Sequence, residues 1–95
     1  MSPREVLLRP VVTEKSMAGM ADGRYTFAVA LSANKVEVRQ AVERLWPVHV
    51  LAVNTMRMHG KKRSVGRSVG YRPDWKKAIV TLKSGERIPA FEGLL

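Results

Sequence analysis

The sequence predicts an α+β domain whose elements run strand, helix, strand, helix, strand, strand. Three observations carry this. Tyr25, Phe27, Val29 and Leu31 alternate with Thr26, Ala28 and Ala30, the period-two pattern of a strand with one strongly apolar face. Ala78, Val80 and Leu82 alternate with Lys77, Ile79 and Thr81 in the same way. Val38, Ala41, Val42 and Leu45 fall at i, i+3, i+4 and i+7, the apolar stripe of an amphipathic helix.

Taken in order, Glu5 to Leu8 is a short apolar run ended by Arg9-Pro10, which suits a brief first strand. Thr13 caps a short helix with Glu14 in its first turn, where a carboxylate complements the helix dipole. That helix turns Met17, Ala18 and Met20 or Ala21 inward and stops at Asp22-Gly23. The strand from Tyr25 follows. Asn34 offers an N-cap with Glu37 three residues on, and Pro47 forbids continuation of the helix begun there. Val48 to Met58 reads as a long strand, with Leu51 and Val53 on one side and Val50, Ala52, Met56 and Met58 on the other. The final strand begins near Trp75.

Ninety-five residues make one small domain, with no spare core for a second. A composition 45% hydrophobic and 26% charged is that of an ordinary globular chain. The absence of cysteine excludes a disulfide framework and thiolate metal sites, and agrees with a reducing compartment. No apolar run approaches a membrane span, and Met-Ser-Pro-Arg-Glu at the start lacks the apolar core of a signal peptide, so the expected setting is soluble and cytoplasmic, without membrane insertion.

Charge is the first functional signal. Seventeen Lys/Arg against eight Asp/Glu give a net +9. Residues 60–77 hold seven of those bases and only Asp74 among the acids, for +6, while ten bases against seven acids elsewhere leave +3. The excess is therefore confined to the connection between the last two strands. Such a strip attracts phosphate backbones, because neutralising each phosphate releases condensed counterions. The plainer reading is a solvated, solubilising loop. A membrane role fits less well, since the strip has no amphipathic period and carries Gly60, Gly66 and Gly70.

A structureless connection of that length in a compact domain is usually functional or disordered. Glycines at intervals permit tight bends, and Val65 and Val69 supply too little apolar surface to hold the loop down. The expectation is a mobile, projecting arm in a long basic hairpin, ordering against RNA. Its tandem Arg-Ser-Val-Gly is a repeat that a low-complexity loop can produce by coincidence. Rich in Lys/Arg and poor in Asn, Gln and Glu, the arm suits backbone and shape recognition, with Trp75 at its base to stack or to pack.

Enzymatic chemistry finds little support. His49 and His59 stand ten residues apart, too far for joint metal ligation, and no metal or cofactor is expected. Gly60-Lys61-Lys62 lacks the upstream glycine and following Ser/Thr of a phosphate loop. The acids are scattered, and Glu37 and Glu43 point to different parts of their helix. That helix, bearing Lys35, Arg39 and Arg44 beside both glutamates, is nearly neutral and a poor groove reader. Tyr25 and Phe27 share a face as an RNA-stacking platform would, but as part of the most apolar alternating set they read as core.

Several segments together resemble a known family. Arg9-Pro10-Val11-Val12-Thr13-Glu14-Lys15-Ser16, Tyr25-Thr26-Phe27, Asn34-Lys35, Val53-Asn54-Thr55, Gly60-Lys61 with Arg63, Gly66-Arg67 and Gly70, and Trp75-Lys76-Lys77-Ala78-Ile79-Val80-Thr81-Leu82 are similar, in order and spacing, to the bacterial form of large ribosomal subunit protein twenty-three. The likeness runs over about residues 4–93 and includes Phe91-Glu92-Gly93. Departures are few: Trp46-Pro47 stands where the family usually has Phe and a non-proline residue, and Met56 to His59 is variable.

The resemblance implies a four-stranded antiparallel sheet with two helices on it, in the order β-α-β-α-β-β. It implies a non-enzymatic constituent of the large ribosomal subunit, bound to large-subunit ribosomal RNA at the outer end of the polypeptide exit tunnel. Residues 60–77 would reach inward along RNA, near the nascent chain. The strip offers Lys61, Lys62, Arg63, Arg67, Arg72, Lys76 and Lys77 as RNA contacts, with Trp75, and the matching segments add Lys15, Lys35 and Asn54. Glu14 matches the glutamate on which trigger factor docks, and signal recognition particle would contact the same region. Large-subunit ribosomal protein twenty-nine would pack beside it. The alternatives are a free-standing basic RNA-binding regulator and, more remotely, a small acid-substrate enzyme.

Overall fold

In chain order the elements are α1 (Pro3–Val6), β1 (Leu7–Pro10), α2 (Glu14–Met20), β2 (Arg24–Val29), α3 (Lys35–Leu45), β3 (Val50–Met58), β4 (Lys62–Val65), β5 (Ser68–Tyr71), β6 (Trp75–Leu82) and α4 (Pro89–Glu92). The structure, a computed structural model, describes residues 2–60, 62–65, 68–71 and 74–92. Four strands form one antiparallel sheet in the order β1-β2-β6-β3, and β4 pairs with β5 as a separate two-stranded sheet. The α+β class and the four-stranded antiparallel sheet are as the sequence and the resemblance imply.

Side chains opposite one another in a ladder share a face. Tyr25, Val80 and Val53 form one row across β2, β6 and β3, and Phe27, Ala78 and Thr55 form the next. This face is the core. Val38, Ala41 and Val42 of α3 close over it, all buried, as the helical spacing requires. Asn34 starts α3 where expected: the Glu37 N–H donates to Asn34 Oδ1 at 2.8 Å and the Asn34 N–H to Glu37 Oε1 at 3.2 Å, a reciprocal cap worth about 1 kcal/mol. Phe91 and Ile88 complete the core from the chain's far end, with the Phe91 ring edge-on to Tyr25 at 5.0 Å and to Phe27 at 5.1 Å. Trp46 stacks on Phe27 from the other side at 5.9 Å.

Several expectations are corrected. Glu5 and Val6 belong to a one-turn helix, because Ser2, Pro3 and Glu5 are a helix-start combination and the Ser2 N–H donates to Glu5 Oε2 at 3.2 Å; the first strand is displaced to Leu7–Pro10. α2 is capped by Thr13 as expected, but Met17 and Ala18 face outward. Its inward row is Ser16, Gly19 and Met20, with Gly19 set against Arg24 of β2 at a spacing where an added Cβ would make ordinary van der Waals contact with the Arg24 carbonyl, at 3.5 Å. Gly23, at φ 77°, turns the chain from α2 into β2 and accepts a hydrogen bond from Leu82 N at 2.9 Å. Leu31 lies past the end of β2 and is exposed, and Leu45, in the last turn of α3, is only partly covered.

The long strand starts at Val50, two residues later than Val48, and its sides differ from simple alternation. Val50 pairs with Leu82 and Ala52 with Thr81, so Leu51 is an extra residue, a bulge that reverses the parity beyond it. Val50 therefore joins Val53 and Thr55 on the core side, while Ala52, Asn54, Met56 and Met58 take the other face. In the basic stretch the described residues are not structureless: Lys62 pairs with Tyr71, Arg63 with Gly70, Ser64 with Val69 and Val65 with Ser68, so the two Ser-Val pairs lie on opposing strands.

Candidate nucleic-acid interface

Asp74, the one acid within residues 60–77, sits at the base of the basic stretch. Its Oδ1 accepts from the Gly60 N–H at 2.8 Å and its Oδ2 from Arg57 Nε at 3.3 Å, with His59 Nδ1 at 3.6 Å. The carboxylate thus ties the exit of β3 to the entry of β6, so that both roots of the stretch leave the sheet together. The Gly60 N–H holds the Asp74 carboxyl below its ordinary value against the opposing effect of burial, with Arg57 and His59 adding to the lowering.

The sheet face opposite the core is only partly covered. α2 packs on β2, leaving the outer sides of β6 and β3 beside it, and a groove of about 610 Å³ runs between them. Trp75, Lys77 and Ile79 of β6 and Met56 of β3 line one side, and Thr13, Lys15, Ser16 and Gly19 line the other. Arg24 and Asp22 stand at one end and pair with each other at 3.0 Å. Ser16 Oγ donates to Val11 O at 3.0 Å and accepts from Thr13 N at 2.7 Å, so that hydroxyl serves the helix start.

Of the residues expected to contact RNA, the structure therefore brings Lys15, Trp75 and Lys77 together at this groove, with Asn54 farther along the same face, opposite Ile79. Lys76 is on the other face, where its Nζ donates to the Ala33 carbonyl at 2.5 Å and secures the chain just before α3. Lys35, the first residue of that helix, is exposed there. Lys62 and Arg63 lie in β4. Lys61, Arg67 and Arg72 lie outside the described residues, as do Gly66 and Gly93. Tyr25 and Phe27 are buried, as their alternation implies, so among the described residues Trp75 is the aromatic of the open face.

Sequence reasoning missed Arg24, Met56 and Ile79 as parts of this surface. Met56 and Ile79 carry no chemical signature, and only the parity set by the bulge places Met56 beside Lys77. Glu14, first in α2, is exposed next to the outward-facing Met17 and Ala18, and makes no ion pair among the described residues.

The two histidines are held apart by separate carboxylates. His49 Nδ1 lies 2.6 Å from Glu86 Oε1, and its backbone N–H also donates to Glu86, while His59 faces Asp74. No cluster able to hold a metal lies among the described residues. The His49 ring and then its backbone N–H hold the Glu86 carboxyl low. A carboxyl whose folded value is depressed stabilises the fold above its unfolded value and loses that contribution as pH falls through the folded one. The protein will accordingly lose thermal stability from about pH 4.5 downward. Asp74→Asn combined with Glu86→Gln will make the decline shallower in melts between pH 7 and 3; superimposable slopes would remove both groups from the account.

Among described residues, no helix is long and apolar enough to cross a membrane. A sequence profile for the family Ribosomal protein L23 matches residues 5–90. Relatives named large ribosomal subunit protein uL23 include that of Symbiobacterium thermophilum, 52% identical over 94 residues covering 99% of this chain and 100% of that protein. The Thermus thermophilus protein is 50% identical over 91 residues, 96% of this chain and 95% of its own length. That of Roseiflexus castenholzii is 46% identical over 93 residues, 98% of this chain and 99% of its own length.

Proposed function

The chain belongs to the ribosomal protein L23 family, and on that premise we propose that residues 1–95 act as one RNA-binding domain at the outer end of the polypeptide exit tunnel. It is a protein of the large ribosomal subunit and not an enzyme, acting on the ribosome of the cytoplasm. Residues 60–77 are its extended RNA-binding segment, reaching along large-subunit ribosomal RNA toward the nascent chain. The observation that carries this is the confinement of +6 to those residues. Support comes from Asp74, which gathers both roots of the segment at one corner of the sheet, and from Lys15 and Lys77 on the adjoining open face. Glycines and polar side chains suit such a segment to backbone contact rather than base-edge reading.

The exposed start of α2 is the docking place for trigger factor, centred on Glu14, and for signal recognition particle. Large-subunit ribosomal protein twenty-nine packs alongside. Glu14 is open at a helix start, and Met17 and Ala18 beside it supply apolar surface that the core does not use. As an acid in a first turn it also contributes roughly 0.3–1 kcal/mol to α2, so the two roles are separable by measurement. Glu14→Ala will lower trigger-factor affinity for ribosomes carrying the variant while RNA binding by the free protein stays the same. Equal affinity of variant and parent ribosomes would refute the docking role.

Co-sedimentation tests the ribosomal reading itself. The chain should travel with large subunits at moderate salt; recovery only in the free fraction, with RNA affinity intact, would identify a free-standing regulator.

A further inference from the structure

On the open face, Trp75, Lys77 and Ile79 succeed one another at alternate positions of β6, Met56 stands opposite Lys77, and α2 forms the facing wall. We propose that this groove receives an unstacked RNA base, held among Trp75, Met56 and Ile79 while Lys15 and Lys77 take the neighbouring phosphates. The inference rests on the RNA-binding reading above and names what one part of that surface recognises.

Size, lining and charge converge on that occupant. The groove, about 610 Å³, falls within the roughly 300–1,000 Å³ of small-ligand sites. Its lining combines an indole with a thioether and a branched aliphatic side chain, which suits the flat face of any base and specifies none. Several side-chain hydrogen-bonding groups of the lining are already engaged: the Ser16 hydroxyl serves Val11 and Thr13, Thr13 Oγ1 accepts from the Ser16 N–H, and Asp22 and Arg24 pair with each other. At the rim, Asp22 is answered by Arg24, whereas Lys15 and Lys77 have no carboxylate partner among the described residues. An apolar peptide would leave both ammonium groups unanswered; a nucleotide with its flanking phosphates satisfies the apolar floor and the cationic rim at once. The groove also adjoins the root of the basic stretch, because Trp75 directly follows Asp74, so RNA lying along residues 60–77 passes its mouth.

The test compares two probes on the full chain at one salt concentration: an oligoadenylate about ten nucleotides long, and the same length with abasic riboses at its central positions. Both present the same phosphates. The parent should bind the complete oligonucleotide about five- to thirtyfold more tightly than the abasic one. Trp75→Ala should reduce that preference below about twofold, and Trp75→Phe, which keeps a stacking face, should retain most of it. Met56→Glu alters an exposed position, leaves the core untouched, and should also lose the preference, so it decides the matter should Trp75→Ala fail to fold. Equal binding of both probes by the parent overturns the groove proposal and leaves the RNA-binding reading standing, as does full preference in a folded Trp75→Ala or in Met56→Glu. Binding of neither probe, with no binding of large-subunit RNA, overturns both.

Discussion

Replacing Lys61, Lys62, Arg63 and Arg67 together with serine will weaken binding to large-subunit RNA by about two to three orders of magnitude near physiological salt. Each phosphate contact contributes about 0.9 to the slope of log affinity against log salt, so four lost contacts flatten that slope by about three to four units. The four positions lie in a stretch dominated by charge, serine and glycine, with little apolar surface to lose, so thermal stability should change little. Neutralising four exposed bases elsewhere, Arg4, Arg39, Arg44 and Lys83, lowers the net charge equally and should cost far less affinity. That comparison separates a local contact from a general attraction between a +9 protein and a polyanion. Equal losses in the two variants, or an unchanged slope in the first, would remove residues 60–77 from the interface.

Phe91→Ala is expected to have the largest effect on stability. Phe91 is 1% exposed, and its ring meets both Tyr25 and Phe27 edge-on, so it joins α4 to β2, one of the two inner strands of the sheet. Truncating a buried phenylalanine costs about 3–5 kcal/mol through lost transfer free energy and the cavity left behind. A domain of this size has roughly 5–15 kcal/mol in total. At about 4–8 °C per kcal/mol, the melting temperature should fall by at least ~12 °C. Phe91→Leu should recover much of the loss by refilling the volume. A shift of only a few degrees for the alanine variant would mean that α4 frays without consequence and that the core closes without it.

Long, regular patterns were legible in the chain, and short or interrupted ones were not. Eleven residues of α3 display their buried stripe three turns over, and its cap is written in Asn34 and Glu37. β6 alternates without interruption from Lys77 to Leu82. By contrast, Ile88, just before the one-turn α4, and Phe91 within it form a single i, i+3 pair, too brief to show a period, although both are fully buried. Ser2-Pro3-x-Glu5 was a readable helix start, overlooked beside an apolar run that looked like strand. On β3 the grouping of Ala52, Met56 and Met58 opposite Val53 was legible, but the place of Val50 beside Val53 was not, because a bulge leaves no mark on alternation except the tertiary pairing that reveals it.

The candidate site divides the same way. Localised charge is a property of composition, so residues 60–77 stood out at once. Asp74 as a tie between two strand ends became visible only when Gly60 and Asp74, 14 residues apart, were brought to 2.8 Å. The groove needed three facts together: the reversed parity of β3, the outer face of β6, and α2 lying over β2. Each is a consequence of packing rather than of local propensity.

A density map of the large ribosomal subunit assembled with this chain bears most directly on the account as a whole. Residues 60–77 should lie against RNA backbone with the sheet and helices at the subunit surface, the start of α2 outermost. A map in which those residues fold back on their own sheet, away from RNA, would contradict it.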